Sequence, residues 1–284
     1  MKKSLLLLAV FNMGCFTLKA QEPFAYKIYN AKGKKQSFQK LIKGALRADI
    51  VFFGELHNNP IAHWLQLELA KKLHEKKPLV LGAEMFEADN QEALSAYVNG
   101  LSDAQTFEQS VRLWENYKTD YKPLVDFARN QQLTFIATNV PRNYATMVYR
   151  NGLKPLDSLS ETEKAWMAPL PIFVDRSLST YQEMSTTSGH GGENLINAQA
   201  LKDATMAYFI MKNWQPGNLF LHFNGSYHSK RHEGMVWQLR IKRPDLKLLT
   251  IATVEQENLD KMEIQFIDEA DFIIVIPKNM TKTY

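Results

Sequence analysis

A chain of 284 residues that is 45% hydrophobic and 11% aromatic can enclose one large core or two small ones, which excludes a disordered polypeptide. Its formal charge of +4 is concentrated at one end: Lys2, Lys3 and Lys19 precede residue 21 beside no acid, and taking them from the 34 bases leaves 31 against 30 acids. A remainder near neutrality gives no electrostatic reason to bind nucleic acid or an anionic membrane.

The opening stretch MKKSLLLLAVFNMGCFTLKA sets two lysines before the apolar run Leu5 to Phe11 and small residues after it. That is the pattern of a secretory signal (residues 1–20), which takes no part in a fold. Two cleavage points compete. Leu18-Lys19-Ala20 suits ordinary signal peptidase and is preferred; Met13-Gly14-Cys15 resembles a lipoprotein box, with Asn12 where an aliphatic residue is usual. The expectation is export across the inner membrane, to the periplasm or to an outer-membrane lipoprotein anchor. Cys15 is the only cysteine, so the exported chain can hold no internal disulfide, iron–sulfur cluster, thiolate zinc site or Cys-x-x-Cys-His haem attachment. Beyond the leader no apolar run is long enough to cross a bilayer.

Residues 21–284 are expected to form a single domain. YKIYNAKGKKQSF (26–38) reads as an edge strand and FQKLIKGAL (38–46) as a helix. Near-continuous apolar runs then recur at 49–53, 79–86, 133–140, 218–224, 246–254 and 271–277. Runs of this kind are strands covered on both faces. Helical patterns lie between them, so the chain predicts an α/β fold with a mainly parallel sheet flanked by helices. Asn58 or Asn59 can cap the helix that Pro60 begins, and Ile61, Leu65, Leu69 and Leu73 give it an apolar stripe. Two stretches are too long for simple crossovers: about 88–131, with several helical segments, and about 152–192, with Pro155, Pro169, Pro171 and the glycine-rich TTSGHGG. They read as helical insertions over the carboxyl ends of the strands, where lids and binding elements occur.

Ligands of open α/β sheets bind at those carboxyl ends, and the chemistry-bearing residues collect there. The first long strand delivers Glu55 and His57, which could equally serve only as helix caps. The second delivers Glu84, an acid at the end of an apolar run that must find a partner; a structural salt bridge would suffice. If these two strands are neighbours, as consecutive βαβ strands commonly are, Glu84 stands near Glu55 and His57. The third ends in Thr138-Asn139-Val140-Pro141-Arg142. Arg142 could clamp a carboxylate or phosphate or pair with Glu84 or Glu55. The fourth runs into Gly225-Ser226-Tyr227-His228, repeating the Gly-x-x-His layout of Gly54 to His57. His222 inside that strand reads as a core histidine and His232 as a solvated one. In the helix over 193–214, Gln199 and Asp203 interrupt an apolar face and would support the histidines or bond the helix to the sheet. The second insertion supplies Trp166, Met167, Phe173, Tyr181, Met184 and His190. Such side chains usually pack together, but they also suit a porphyrin face, with Tyr181 or His190 as axial ligand.

GELHNNP, GAEMFE, TNVPRN, AQALKDATMA and the late Gly-x-x-His, in this order across roughly residues 35–255, resemble the ChaN-like haem-binding lipoproteins. These belong to a superfamily with the Tiki/TraB proteins and erythromycin esterases. The resemblance implies a parallel α/β fold and an iron-regulated, extracytoplasmic haem-binding protein of a haem or iron uptake system. It also implies cofacial haems between two subunits of a homodimer, an outer-membrane haem receptor as partner, and a tyrosine iron ligand aided by a histidine of the second subunit. Tyr181, in STYQEM ahead of His190, is the first choice for that tyrosine. Hydrolytic relatives use the Gly-x-x-His histidines and a glutamate, which fall here on His57, His228, Glu84 and Glu55. Two departures stand out: Ser226-Tyr227 lengthens a motif that is shorter in ChaN-like sequences, and SGHGGEN is rich in glycine.

Two functions follow. One is haem binding, with Tyr181, His190 and Arg142 contacting the cofactor. The other is hydrolysis of an ester or peptide. A divalent metal on His57, Glu84 and His228 would supply hydroxide, or His57 would activate water directly while Glu84 orients it. Asn139, Gln199 and Asp203 stand behind either site. Haem binding is preferred, because the order of the motifs matches that family best.

Overall fold

The computed structural model describes residues 24–187 and 192–284. The leader, Cys15 and His190 lie outside the described residues, so the expectations placed on them have no structural counterpart.

An eight-stranded sheet organises the described residues: β1 (Lys27–Asn30), β2 (Lys35–Gln36), β3 (Ile50–Glu55), β4 (Leu79–Glu87), β5 (Thr134–Asn139), β6 (Leu219–Gly225), β7 (Leu248–Gln256) and β8 (Phe272–Pro277). Their spatial order is β2-β1-β8-β7-β3-β6-β4-β5. From β8 to β5 every pairing is parallel, while β1 runs antiparallel to β8 and β2 antiparallel to β1. Each apolar run of the sequence became a strand, because helices cover both faces. The chain is thus α/β with a mainly parallel sheet, as its sequence predicts.

One face packs on α1 (Phe38–Ala45) and α2 (Pro60–His74), joined by α3 (Gln91–Val98), α4 (Ala104–Ser110) and α5 (Lys122–Asn130) of the first insertion. Strand residues Val51, Phe53, Leu81, Leu221 and Ile274 meet Leu41, Leu65, Leu69, Leu94 and Leu124 there. After α6 (Arg142–Asn151), which packs on the long α9 (Gly192–Asn213), the second insertion holds α7 (Glu161–Lys164) and α8 (Ser179–Thr187), and α8 packs on α9 as well. The opposite face of the sheet buries Ile50, Phe52 and Phe220 against Met206 and Ile210 of α9 and Val236 and Leu239 of α10 (Met235–Lys242). Local chemistry sets the helix starts. Asn59 caps α2 by accepting from the amides of Ile61 and Ala62, with Pro60 at the first turn, and Ser37 caps α1 through the amide of Lys40.

One expectation fails. β3 and β4 are consecutive but not adjacent, because β6 lies between them and pairs with both. The fourth predicted strand therefore enters the middle of the sheet, and its terminal Gly225 emerges between the ends of β3 and β4.

Close packing of these strands is enforced by Gly82. A Cβ at that position would lie 2.7 Å from Cε1 of Phe220 and 3.2 Å from Cγ2 of Thr138, and Phe220 is fully buried. Gly82→Ala is expected to cost about 1–3 kcal/mol through overpacking, read as a lower urea midpoint at unchanged slope.

Candidate functional site

A cleft of about 1060 Å³ opens over the carboxyl ends of β3, β4 and β6. At its base is a chain of hydrogen bonds centred on His228. That imidazole is buried, with Nδ1 2.6 Å from Asp203 Oδ1 and Nε2 3.1 Å from Glu84 Oε1. The other oxygen of Glu84 accepts the Gly225 amide at 2.7 Å, and the other oxygen of Asp203 accepts the Tyr181 hydroxyl at 2.7 Å. The terminal amide of Gln199 lies 3.0 Å from His228 Nδ1. Burial alone would push His228 down, but the carboxylates of Glu84 and Asp203 overcome it and hold the ring up at about 10. Burial likewise works against Glu84, yet the attraction and hydrogen bond of His228, with His57 and Lys202, keep its carboxyl well below the usual range. For Asp203 burial prevails over His228 and Tyr181, and its carboxyl rises. His228 is thus an imidazolium with both N–H groups committed.

A second network surrounds Glu55. One oxygen accepts from His57 Nδ1 at 2.8 Å and from the Tyr121 hydroxyl at 2.7 Å, and the other accepts from Gln66 Nε2. Burial pushes Glu55 up, but His63, His57 and Tyr121 together bring it below its ordinary value. The carbonyl of His57 accepts from His63 Nε2 at 3.0 Å and from Asn116 Nδ2 at 2.8 Å, and Asn116 also donates to Asp120. The His57 ring packs edge-on against Trp114, with centroids 4.8 Å apart. Burial works against its charged form, but the hydrogen bond to Glu55 and the nearby Glu84 raise its pKa. With Nδ1 tied to Glu55, Nε2 is the nitrogen left to the cleft.

The two networks meet at Gly225. A Cβ there would stand 2.6 Å from His57 Nε2 and 3.5 Å from Glu84 Oε2. Only a residue without a side chain lets the end of β6 pass between them.

The structure therefore brings Glu55, His57, Glu84, Asn139, Gln199, Asp203 and His228 together. Asn139 donates to the Glu84 carbonyl at 3.0 Å, while its Oδ1 is buried without a hydrogen-bond partner. Arg142 stands at the rim, half exposed, and pairs with Glu87 rather than Glu84 or Glu55; Glu87 also takes Arg112. His222 is a core histidine bonded to Thr138 and Asn224, whereas His232 bonds Asp271 and Thr250 instead of facing water alone. Tyr181 is placed differently from its expected role. It is fully buried, its hydroxyl is given to Asp203, and it does not line the cleft. The metal expectation gains no support. His57, Glu84 and His228 converge, but both ring nitrogens of His228 already face carboxylates, Asp203 and Glu84, and among the described residues no group of three or more His, Cys, Asp or Glu is arranged to hold an ion.

Sequence reasoning missed His63, Gln66, Trp114, Asn116, Asp120, Tyr121 and Lys202. The signal for two of them was present: His63 and Gln66 are polar residues three apart on α2, beside the apolar stripe, the same pattern that exposed Gln199 and Asp203 on α9. Tyr121 and Asp120 sit in a π-helical turn (Tyr117–Tyr121), which no simple periodicity reveals. Tyr227 and Tyr284 also line the cleft.

The model of a family described as haem-binding uptake, Tiki superfamily, ChaN matches residues 41–239. Among solved structures the chain is similar to ChaN of Campylobacter jejuni, described with cofacial haem binding. The TM-score is 0.66 at 19% identity, over 88% of this chain and 96% of that one. A Bacillus cereus protein gives a TM-score of 0.51 at 12% identity, over 89% of this chain and 95% of that one. Among curated proteins the chain is 26% identical over 224 residues to the chloroplastic protein RETICULATA-RELATED 5 of Arabidopsis thaliana, covering 69% of this chain. The match spans only 30% of that plant protein's length.

His228 makes stability depend on pH. Its folded pKa, about 10, exceeds an unfolded value of about 6.5, so its contribution is full below pH ~6.5 and is lost as pH rises through 10. Glu55 and Glu84, held down, contribute above about pH 4.5 and lose that contribution in acid. Thermal unfolding should therefore show a maximum between these limits. His228→Gln should lower stability by about 3–5 kcal/mol, because it leaves two buried carboxylates unpaired, and should flatten the alkaline limb of the profile.

Proposed function

This chain belongs to the ChaN haem-binding family of the Tiki superfamily, and from that membership we propose that its cleft binds haem. The observation that carries the reading is the make-up of the cleft. Leu113, Trp114, Val140 and Met184 offer apolar and aromatic surface, Arg142 and Lys202 offer cations, and Tyr227 offers a phenol at the mouth. The apolar side chains fit a porphyrin face, and the two cations fit its propionates. Bound haem would supply a redox-active iron able to take protein donors. Among the donors facing the cleft are His57 Nε2 and Tyr227, which is two-fifths exposed and donates to Glu183 at 3.0 Å. Tyr227 thus replaces Tyr181 as the tyrosine proposed to meet iron, and Tyr181 holds Asp203 in place.

The leader read in residues 1–20 supports an extracytoplasmic protein of a haem or iron uptake system, periplasmic or lipid-anchored. The resemblance to ChaN supports a homodimer that stacks haems between its subunits and exchanges them with an outer-membrane receptor. A single acid–base observation favours a second reading. His57 has its Nδ1 proton oriented by Glu55, which leaves Nε2 as a base beside a fixed imidazolium, a layout able to activate water against an ester without metal. Turnover in an ester and peptide screen that disappears in His57→Ala would establish it; no His57-dependent turnover removes it.

Haemin titrated into the mature protein should give a saturable, shifted Soret band. Tyr227→Phe and His57→Ala should each weaken binding by about tenfold or more, equivalent to ~1.4 kcal/mol, or change the ligand-to-iron bands. Tyr181→Phe should leave the spectrum unchanged while lowering stability. No saturable change in the unsubstituted protein would remove the haem reading.

A further inference from the structure

Residues 278–284, the stretch Lys-Asn-Met-Thr-Lys-Thr-Tyr after β8, form neither strand nor helix. They cross the carboxyl end of β7 towards the turn that carries His57. The Lys278 amide bonds the Gln256 carbonyl at 3.1 Å, Lys282 pairs with Glu255, and the Thr283 amide bonds the Asn58 carbonyl at 3.0 Å. Glu255 in turn accepts from Asn59, the cap of α2, at 3.1 Å. The path ends with Tyr284 in the cleft wall that also contains His57 and Trp114. Tyr284 is 63% exposed, so it borders the cleft while most of it meets water.

These attachments are few, and apart from buried Gln256 and the Thr283 hydroxyl they involve partly exposed groups. Met280 is the side chain of this stretch that packs on the main core, and the remaining anchors are the polar contacts just named and an ion pair of Lys278 with Glu257 at 4.0 Å. Segments with so little buried apolar surface are those that open most readily. The anchors nevertheless fall on Asn58, next to His57, and on Glu255, which also holds the helix cap. Docking of the segment and the position of the His57 turn are therefore linked. Burial first, then the carboxylates of Glu55, Asp120 and Glu115, push the Tyr284 phenol above its ordinary range. That suits a ring used as a surface and not as a phenolate.

We propose that residues 278–284 are a strap across the cleft and that Tyr284 is a further ligand-contacting residue, its ring closing against the open side of a bound flat aromatic ligand. The identity of that ligand as haem rests on the reading above; the strap rests on the contacts of this segment.

The test has one arm that needs no ligand. His57 is partly exposed, with a third of its side chain open to solvent. Its modification by diethylpyrocarbonate, followed by peptide mass in the full chain, should quicken by about tenfold in Tyr284→Ala and in Thr283→Pro, which loses the amide bonded to Asn58. Tyr284→Phe should react as the unsubstituted protein does, and the unfolding midpoint should be unchanged in all three. Equal rates overturn the strap. In the second arm, haemin is released into excess apomyoglobin. Tyr284→Ala should release it about tenfold faster and Tyr284→Phe at the original rate; equal release overturns the contact role. If no protein takes up haemin, the haem reading falls and the first arm still decides the strap.

Discussion

A charge sealed from water governs this molecule. His228 is buried between Glu84 and Asp203, where none of the three could remain ionised alone without a heavy desolvation cost. Each satisfies the others, and each is finished by a further donor: the Gly225 amide on Glu84, the Tyr181 hydroxyl on Asp203. The ends of β4 and β6, helix α9 and the insertion that carries Tyr181 are thereby joined by a few hydrogen bonds. The entry of β6 between β3 and β4 makes this possible, because it sets the Gly-x-x-His turn against the carboxylate of one neighbour and the imidazole of the other.

A second constraint follows from the first. Glu55 is surrounded by His57, Tyr121 and Gln66, so its charge too is neutralised inside the protein. The cleft thus has a floor of ionised groups whose hydrogen bonds are mostly filled from behind. Gly225 allows His57 to approach Glu84 without a side chain between them. Of the ring nitrogens that line the cleft, His57 Nε2 is the one left open, with its field tuned by the carboxylates of Glu55 and Glu84.

Much of this was legible in the sequence. The strands were visible because parallel strands buried on both faces need unbroken apolar runs, and the Asn59-Pro60 start of α2 follows from capping chemistry. The ionisable groups at the strand ends were visible because acids and imidazoles beside such runs demand partners. Gln199 and Asp203 were visible as polar breaks in an apolar helix face. Strand order was not, since a run of apolar residues carries no label for its neighbour; the assumption that consecutive strands pair placed Glu84 beside Glu55 and left out β6. Nor was the orientation of single side chains. Tyr181 and Tyr227 are both tyrosines close to a histidine in sequence, and only the backbone path decides that one points into the core and the other to the cleft. The partners Tyr121 and Asp120 come from an irregular turn in an insertion, where neither helical nor strand period applies.

This difference between a buried and an open residue bears on how function is assigned. Glu84 and His228 read as chemistry in the sequence, yet with Asp203 their hydrogen bonds are used up in holding the site together. The groups with capacity left are His57 Nε2, the Oδ1 of Asn139, which is buried and unpaired within the protein, Lys202 on the cleft wall, and the phenol of Tyr227. A buried acceptor such as Asn139 Oδ1 has to be met by water or by a ligand group, so the interior of the cleft is suited to something with a polar edge as well as an apolar face. A porphyrin with its propionates has that character. The framework would then fix where the ligand sits, while the groups at the mouth and along the wall decide which ligand it is and how it is held.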